Sequence, residues 1–248
     1  MNQPITDRKT AILSARELLQ QCEKIVCFSG AGLSAESGIS TFRDSETDAL
    51  WSRYDPTQLA SPEGFAADPK LVIDWYNWRR DAIAQATPNP AHLALAQRPD
   101  IIQITQNVDD LLERAGCKQE SVIHLHGNIT HDRCHQRCGF QQKIDLANPP
   151  PLRNCPMCEA PLRPAVVWFG ETLPAWAWQQ AEQHCQLADC MLVIGTSASV
   201  YPAASLIELT KAQGGKVIVI NTHPSGASTL ADMELIGPCG EWLPELLS

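Results

Sequence analysis

The chain has 248 residues, with 28 Asp and Glu against 19 Lys and Arg, and a formal charge of −9. So acidic a surface argues against nonspecific binding to nucleic acid or anionic membranes, but not against a basic, lysine-rich protein segment. No apolar run reaches 18 residues and residues 1–4 lack a signal-peptide layout, so a cytoplasmic protein is expected, its ten cysteines free or metal-bound rather than disulfide-linked.

Thr6 is placed to cap a first helix in which Ile12, Ala15, Leu18 and Leu19 share one face. Strands are expected at 24–28, 101–105, 122–125, 166–169, 191–194 and 217–220, mostly as continuous apolar runs, the pattern of strands buried on both faces. Helices are expected at 109–115, 176–187 and 203–213, the last stopped by Gly214-Gly215. Strands alternating with helices predict an α/β fold with a doubly wound parallel sheet. Two insertions interrupt the pattern. Residues 46–100, rich in Pro, Trp and Ala, read as short helices, one starting at Asp68-Pro69, and residues 128–165 are polar and too poor in apolar residues to build a core.

The second insertion holds Cys134-x3-Cys138 and Cys155-x2-Cys158, two thiolate pairs suited to a tetrahedral, structural Zn2+. His131 and His135 stand close enough in sequence to compete as ligands. Four cysteines close a coordination sphere, whereas a catalytic zinc needs an open position.

Gly30-Ala31-Gly32 directly follows the first strand and precedes helical sequence, and Gly30-x-Gly32-x-x-Ala35 fits a loose dinucleotide fingerprint. Glycines there let a phosphate approach the backbone, and they serve equally in a tight turn between packed elements. Glu36, Phe42 and Arg43 follow at fixed distance, add chemistry beyond that of an ordinary turn and are expected, with the glycines, to line the cofactor site. Gln106, Asn107 and Asp109 follow the second strand, where an amide and a carboxylate could grip a carboxamide or cap the next helix. His124 and His126 share a face of the third strand; His126, beside Gly127, reaches the rim, where an imidazole serves as a general base or a structural group. Gly195-Thr196-Ser197 and Asn221 close two further strands with groups that suit ribose and adenine.

These stretches, with Val167-Trp168-Phe169-Gly170-Glu171 and the cysteine pairs, resemble in order the sirtuin family of NAD-dependent protein lysine deacylases. The resemblance implies a Rossmann-like NAD-binding large domain from 1–45, 101–127 and 166–248. The helical insert 46–100 and the zinc module 128–165 would form the small domain. It also implies NAD as a consumed co-substrate and acylated lysine side chains of proteins as partners. On this resemblance His126 is the catalytic base, with Asn107 and Asp109 on the nicotinamide carboxamide and Gln106 near the ribose. Gly30, Ala31 and Gly32 take the pyrophosphate, Phe42 and Arg43 the nicotinamide side, and Gly195, Thr196, Ser197, Asn221 and the Cys239 backbone the adenosine side. Val167, Trp168, Phe169 and Gly170 pair with the substrate backbone as an added strand. The acyl oxygen attacks ribose C1′ as nicotinamide leaves, and His126 then deprotonates a ribose hydroxyl, giving O-acyl-ADP-ribose.

Tyr76 and Arg79 stand three apart, on one face of a helix. Tyr-x-x-Arg resembles the sirtuin branch that removes malonyl and succinyl groups, with Arg79 pairing the distal carboxylate, Tyr76 donating a hydroxyl and small Ala60 leaving room. Arg79 could instead pair with Asp74 or another surface acid. Arg80 is expected to face solvent. Three departures from the family pattern stand out: Ser40-Thr41 for Pro-Asp, Ala165 for a histidine, and the extra residue between Cys134 and Cys138. Mono-ADP-ribosyl transfer, deacetylation as the main activity and a non-catalytic NAD sensor are the competing functions.

Overall fold

The computed structural model describes residues 7–39 and 54–248, so Phe42 and Arg43 lie outside the described residues, as do Thr6, Ser40 and Thr41. In chain order the described strands are β1 (Ile25–Ser29), β2 (Ile102–Thr105), β3 (Val122–His124), β4 (Gly127–Cys134), β5 (Gln141–Lys143), β6 (Leu162–Val166), β7 (Cys190–Ile194), β8 (Lys216–Asn221) and β9 (Met233–Ile236). The helices are α1 (Arg8–Gln20), α2 (Gly32–Ala35), α3 (Pro56–Leu59), α4 (Pro62–Ala67), α5 (Pro69–Gln85), α6 (Pro90–Ala96), α7 (Leu111–Ala115), α8 (Ala175–Leu187), α9 (Ser205–Ala212) and α10 (Cys239–Leu247).

Six strands form one parallel sheet in the order β3-β2-β1-β7-β8-β9. Counted among themselves this is the 3-2-1-4-5-6 order of a doubly wound nucleotide-binding fold, with its switch point between β1 and β7. Alternate residues of one strand serve opposite layers. Ile25 and Cys27 join the core under α1, α6 and α10, while Val26 and Phe28 join the core under α8 and α9. That double burial is why the strands read as unbroken apolar runs.

A second, antiparallel sheet, β5-β4-β6, carries Cys134 at the end of β4, with Cys138, Cys155 and Cys158 in the loops between its strands. Its Ile129 and Val166 share a core with Leu59, Phe65, Val72, Ile73, Trp75 and Tyr76 of the helical insert, so two segments far apart in sequence make one small body. Local signals start the insert's helices: Ser61 caps α4, and Asp68 accepts from the Leu71 N–H at 2.9 Å, with Pro69 opening α5.

Several expectations shift. Asp7 is the N-cap of α1, accepting from the Lys9 N–H. The strand expected at 166–169 is instead β6, ending at Val166 and belonging to the small sheet, because Val167 and Phe169 bond to His126 and Ala60 rather than to a parallel neighbour. The insert expected to run to residue 100 splits. Ala91, Ala94 and Leu95 of α6 pack in the large core with α10, so the small body takes only α3–α5 from it. β9 went unforeseen; it pairs with β8 at the sheet edge. Among the described residues no helix is long and apolar enough to cross a membrane.

Candidate active site

At the switch point the ends of β1 and β7 meet. The Gly32 N–H donates to the Gly195 carbonyl at 2.8 Å, and a Cβ on Gly32 would fall 2.6 Å from the Gly195 Cα. Gly195 has φ of 57° and would place a Cβ 2.4 Å from the Leu33 nitrogen. Close packing of two backbones therefore requires glycine at 32 and 195 before any ligand is considered, and half-buried Ala31 sits beside them.

The β2 loop is wired to this turn. Asn107 Nδ2 donates to Ser34 Oγ at 3.1 Å, and Ser34 Oγ donates to Asp109 Oδ2 at 3.0 Å. Ser34 is 1% exposed, and it stood inside the glycine motif without an assigned role. Burial pushes the Asp109 carboxyl up, against the Leu111 N–H and Ser34, which favour its charge. Gln106 Nε2 donates to Thr196 Oγ1 at 2.9 Å, and Asn221 Nδ2 to the Thr196 carbonyl at 3.0 Å. Gln106, Asn107, Asp109, Gly195, Thr196 and Asn221 thus form one connected rim, with half-buried Ser197 bonded to Ser199 at its edge.

Two histidines support the rim differently. His124 faces two acceptors, the Asn107 carbonyl at 2.9 Å from Nδ1 and Glu113 Oε1 at 2.8 Å from Nε2. Burial is the largest single influence and disfavours its charge, but Glu113, the Asn107 carbonyl and Asp109 together raise the imidazole pKa. Glu113 is a second partner that the sequence did not flag. His126 Nδ1 bonds only the Gln106 carbonyl, at 3.0 Å. A carbonyl accepts, so Nδ1 carries the proton and Nε2 is left as the basic lone pair. Burial lowers the His126 pKa, with the Gln106 carbonyl opposing, so the ring is neutral at pH 7 and competent as a base.

Glu36 does not point into the rim. Its Oε1 accepts from the Gly240 N–H at 2.9 Å and the Cys239 thiol at 3.1 Å, tying α2 to the start of α10. Pro238, at the N-cap of α10, offers no capping side chain, and Glu36 fills that role from 204 residues away. Cys239 is buried against the same turn.

On the other wall, Tyr76 is buried and its phenol oxygen accepts from Trp168 Nε1 at 2.9 Å. Arg79 is half-buried, its Cζ 5.2 Å from the Trp75 ring centroid. Burial lowers the Arg79 pKa, while Tyr76 and Asp109 act against that. Asp74 pairs instead with Lys70 at 2.6 Å. Arg80 corrects the expectation of a solvent-facing residue. It is 0% exposed and donates to Asp132 Oδ1 at 2.6 Å and the Ile129 carbonyl at 3.2 Å, pinning α5 to β4.

Ala60 is buried, and its carbonyl accepts from the Phe169 N–H at 2.9 Å. The Val167 N–H donates to the His126 carbonyl at 2.8 Å, and the Trp168 N–H to Glu171 Oε2 at 3.0 Å. With these three N–H groups bonded inside the chain, the segment 167–170 would meet a substrate backbone chiefly with carbonyl oxygens. Phe169 and Gly170 are exposed at its end.

The Sγ atoms of Cys134, Cys138, Cys155 and Cys158 all lie within 4.8 Å of one another, with Cys134–Cys158 at 3.4 Å and Cys138–Cys155 at 3.5 Å. A tetrahedral zinc with bonds of about 2.3 Å needs sulfurs about 3.8 Å apart, so the set fits Zn2+ with a small adjustment. Cys155 also accepts from the Met157 N–H, as a thiolate in a knuckle should. His135 packs against Phe65 and Trp168, and His131 bonds Thr130, so neither joins the sulfurs. The extra residue between Cys134 and Cys138 is absorbed at Arg137, whose φ is 56°.

This arrangement can be compared with known proteins. Residues 30–202 match the Sir2 family. The chain belongs to the Sir2 family. Among Sir2 relatives, a Ralstonia nicotianae protein called an NAD-dependent protein deacylase is 45% identical over 239 residues, covering 94% of this chain and 95% of the relative. A Pyrococcus abyssi protein of the same description is 43% identical over 246 residues, covering 95% and 96%. A solved Sir2 homolog–NAD complex superposes with a TM-score of 0.88 at 42% identity, covering 100% of this chain and 94% of that one. A Sir2 protein bound to an acetylated peptide superposes at 0.82 with 29% identity, covering 95% and 97%.

Proposed function

We propose that this Sir2 protein is an NAD-dependent protein lysine deacylase that favours acyl groups ending in a carboxylate and also removes acetyl groups. Relatives more than 40% identical over nearly their whole length are called NAD-dependent protein deacylases, and similar folds bind NAD and acetylated peptide. The observation that carries the activity is the tautomer of His126, with Nδ1 held by the Gln106 carbonyl and Nε2 basic at the rim.

NAD supplies the electrophilic C1′ and is consumed, and structural zinc acts only by holding its module together. The remaining work falls to the chain. The Gly30-Ala31-Gly32 turn brings bare backbone to the pyrophosphate. Asn107 and Asp109, oriented by Ser34, receive the carboxamide, and Thr196, Ser197 and Asn221 face the adenosine side. His126 takes the proton of a ribose hydroxyl, a role worth about 10²–10⁴-fold in rate.

The acyl preference rests on Tyr76 and Arg79. The Tyr76 oxygen already accepts from Trp168, so its own proton is available to an acyl carboxylate, and the Arg79 guanidinium lies on the same helical face. A hydrogen bond to charge is worth about 1.5–3 kcal/mol, or roughly ten- to hundred-fold. The test compares kcat/KM for acetyl-, malonyl- and succinyl-lysine peptides in wild type and Arg79→Met. Succinyl turnover should fall by about ten- to hundred-fold while acetyl turnover holds or rises. An equal decline on both would make Arg79 structural and defeat the acidic-acyl reading.

A further inference from the structure

Glu171 stands just past the segment 167–170 and gathers more charge than any ordinary surface carboxylate. Arg133 Nη2 lies 3.2 Å from its Oε1, Arg137 Nη2 lies 3.3 Å away, and Arg163 makes a close contact with the same oxygen. Its Oε2 accepts from the Trp168 backbone N–H at 3.0 Å. The Glu171 side chain is 11% exposed and that of Arg163 0%. The Arg163 Cζ also lies over the Trp168 ring, 3.6 Å from its centroid, and the guanidinium donates to the Val166 carbonyl at 3.1 Å.

The origins of these arginines give the cluster its meaning. Arg133 precedes the zinc-type ligand Cys134, Arg137 precedes Cys138, and Arg163 lies on β6 beside them. Three guanidinium groups on one carboxylate leave two positive charges in excess. A Zn2+ held by four thiolates carries two net negative charges, so the metal-filled module and the arginine cluster balance. Arg133 and Arg137 are carried by the cysteine module, and Glu171 links them to the Trp168 backbone. Trp168 in turn donates to Tyr76 through its indole.

We propose that Glu171 is a positioning residue through which the zinc module sets the geometry of the substrate-side segment Val167-Trp168-Phe169-Gly170, and so controls binding of the acylated peptide but not of NAD. This rests on the reading of that segment as the substrate side. Nothing in the cluster touches the Gly30–Gly195 turn or the Asn221 rim, which is why NAD should be indifferent to it.

Direct binding to zinc-loaded protein tests the idea. The dissociation constant of a fluorescent acyl-lysine peptide and that of NAD are measured separately in wild type, Glu171→Ala and Glu171→Gln, alongside zinc content and hydrogen exchange of residues 167–170. In Glu171→Ala the peptide should bind at least about ten-fold more weakly and NAD within about two-fold of wild type, with one zinc retained and the Trp168 amide exchanging faster. Glu171→Gln, nearly isosteric and the safer variant should the alanine protein fail to fold, keeps an acceptor for the Trp168 N–H but loses the charge, and should show an intermediate rise of about three- to ten-fold. A peptide affinity unchanged in Glu171→Gln, or peptide and NAD weakened equally, would overturn the proposal. Failure of the deacylase reading itself would look different: wild-type protein would bind no acyl peptide at all, and this inference would fall with it.

Discussion

Trp168 Nε1 donates to the Tyr76 phenol oxygen at 2.9 Å, across 92 residues of sequence, and both side chains are buried. The bond makes Tyr76 an anchor for the segment 167–170 as well as the neighbour of Arg79. Tyr76→Phe should leave the indole N–H without its acceptor, costing about 1–3 kcal/mol. Thermal melting should show a Tm lower by roughly 2–4 °C for each kcal/mol in a chain of this size. The succinyl-to-acetyl ratio of kcat/KM should fall as well, by less than in Arg79→Met. A phenylalanine variant as stable as wild type would show that Trp168 is held by other contacts.

Arg80 and Asp132 are a buried pair, with side chains 1% and 6% exposed and 2.6 Å apart. Arg153 also reaches Asp132, at 3.0 Å, from the zinc side. Breaking such a pair from one end strands the other charge, at a cost of about 3–5 kcal/mol. Arg80→Met should lose stability on that scale in urea titrations, and Arg80→Met/Asp132→Leu should recover a good part of it. A single-variant loss under about 1 kcal/mol would mean that Arg153 alone satisfies Asp132.

His126 must be neutral to accept a proton, and burial lowers its pKa against the opposing Gln106 carbonyl. The acid limb of kcat/KM should therefore inflect below about pH 6.5, the ordinary imidazole value. The stability consequence has the same direction. Because the folded-state pKa is the lower one, the unfolded chain takes up the proton first, and this site's contribution is lost as pH falls through that window. His126→Ala should abolish most turnover and leave NAD affinity nearly intact. An acid limb well above pH 6.5 would assign the inflection to another group.

Chelating the metal should free four thiols and raise hydrogen exchange in β4–β6 first, with β1, β7 and β8 still protected. Cys134 and Cys155 are buried and share a small core with Ala160 and Leu162, too little apolar surface to hold the module without the metal. Simultaneous loss of protection in the parallel sheet would contradict this order.

The sequence was most legible where one physical signal dominates. Unbroken apolar runs marked five of the six strands of the parallel sheet because both of their faces are buried, whereas edge strand β9 is largely exposed; cysteine spacing marked a site that only a tetrahedral ion organises. Arg80 was misplaced, although spacing could have located it. Tyr76, Arg79 and Arg80 stand at i, i+3 and i+4, so both arginines share the tyrosine's face. Ser34 and Glu113 were missed for a different reason. Their work is to orient Asn107, Asp109 and His124 across 73, 75 and 11 residues, and such contacts exist only after the sheet brings its strand ends together. The segment after Val166 misled because Val167-Trp168-Phe169 has strand composition but spends its N–H groups on His126, Glu171 and Ala60.

The small body draws its core from residues on both sides of β2 and β3 in the sequence, with Tyr76 before them and Ile129, Val166 and Trp168 after. As the chain leaves a ribosome, α5 emerges after Leu59 and Phe65, but Ile129, Val166 and Trp168 are still to come, the last 92 residues behind Tyr76. At about 5–20 residues per second, that leaves the face bearing Tyr76, Trp75 and Val72 only partly covered for roughly 5–20 s. Neither half of the small body should therefore survive as an excised fragment, and the newborn chain should depend on chaperones most during that interval.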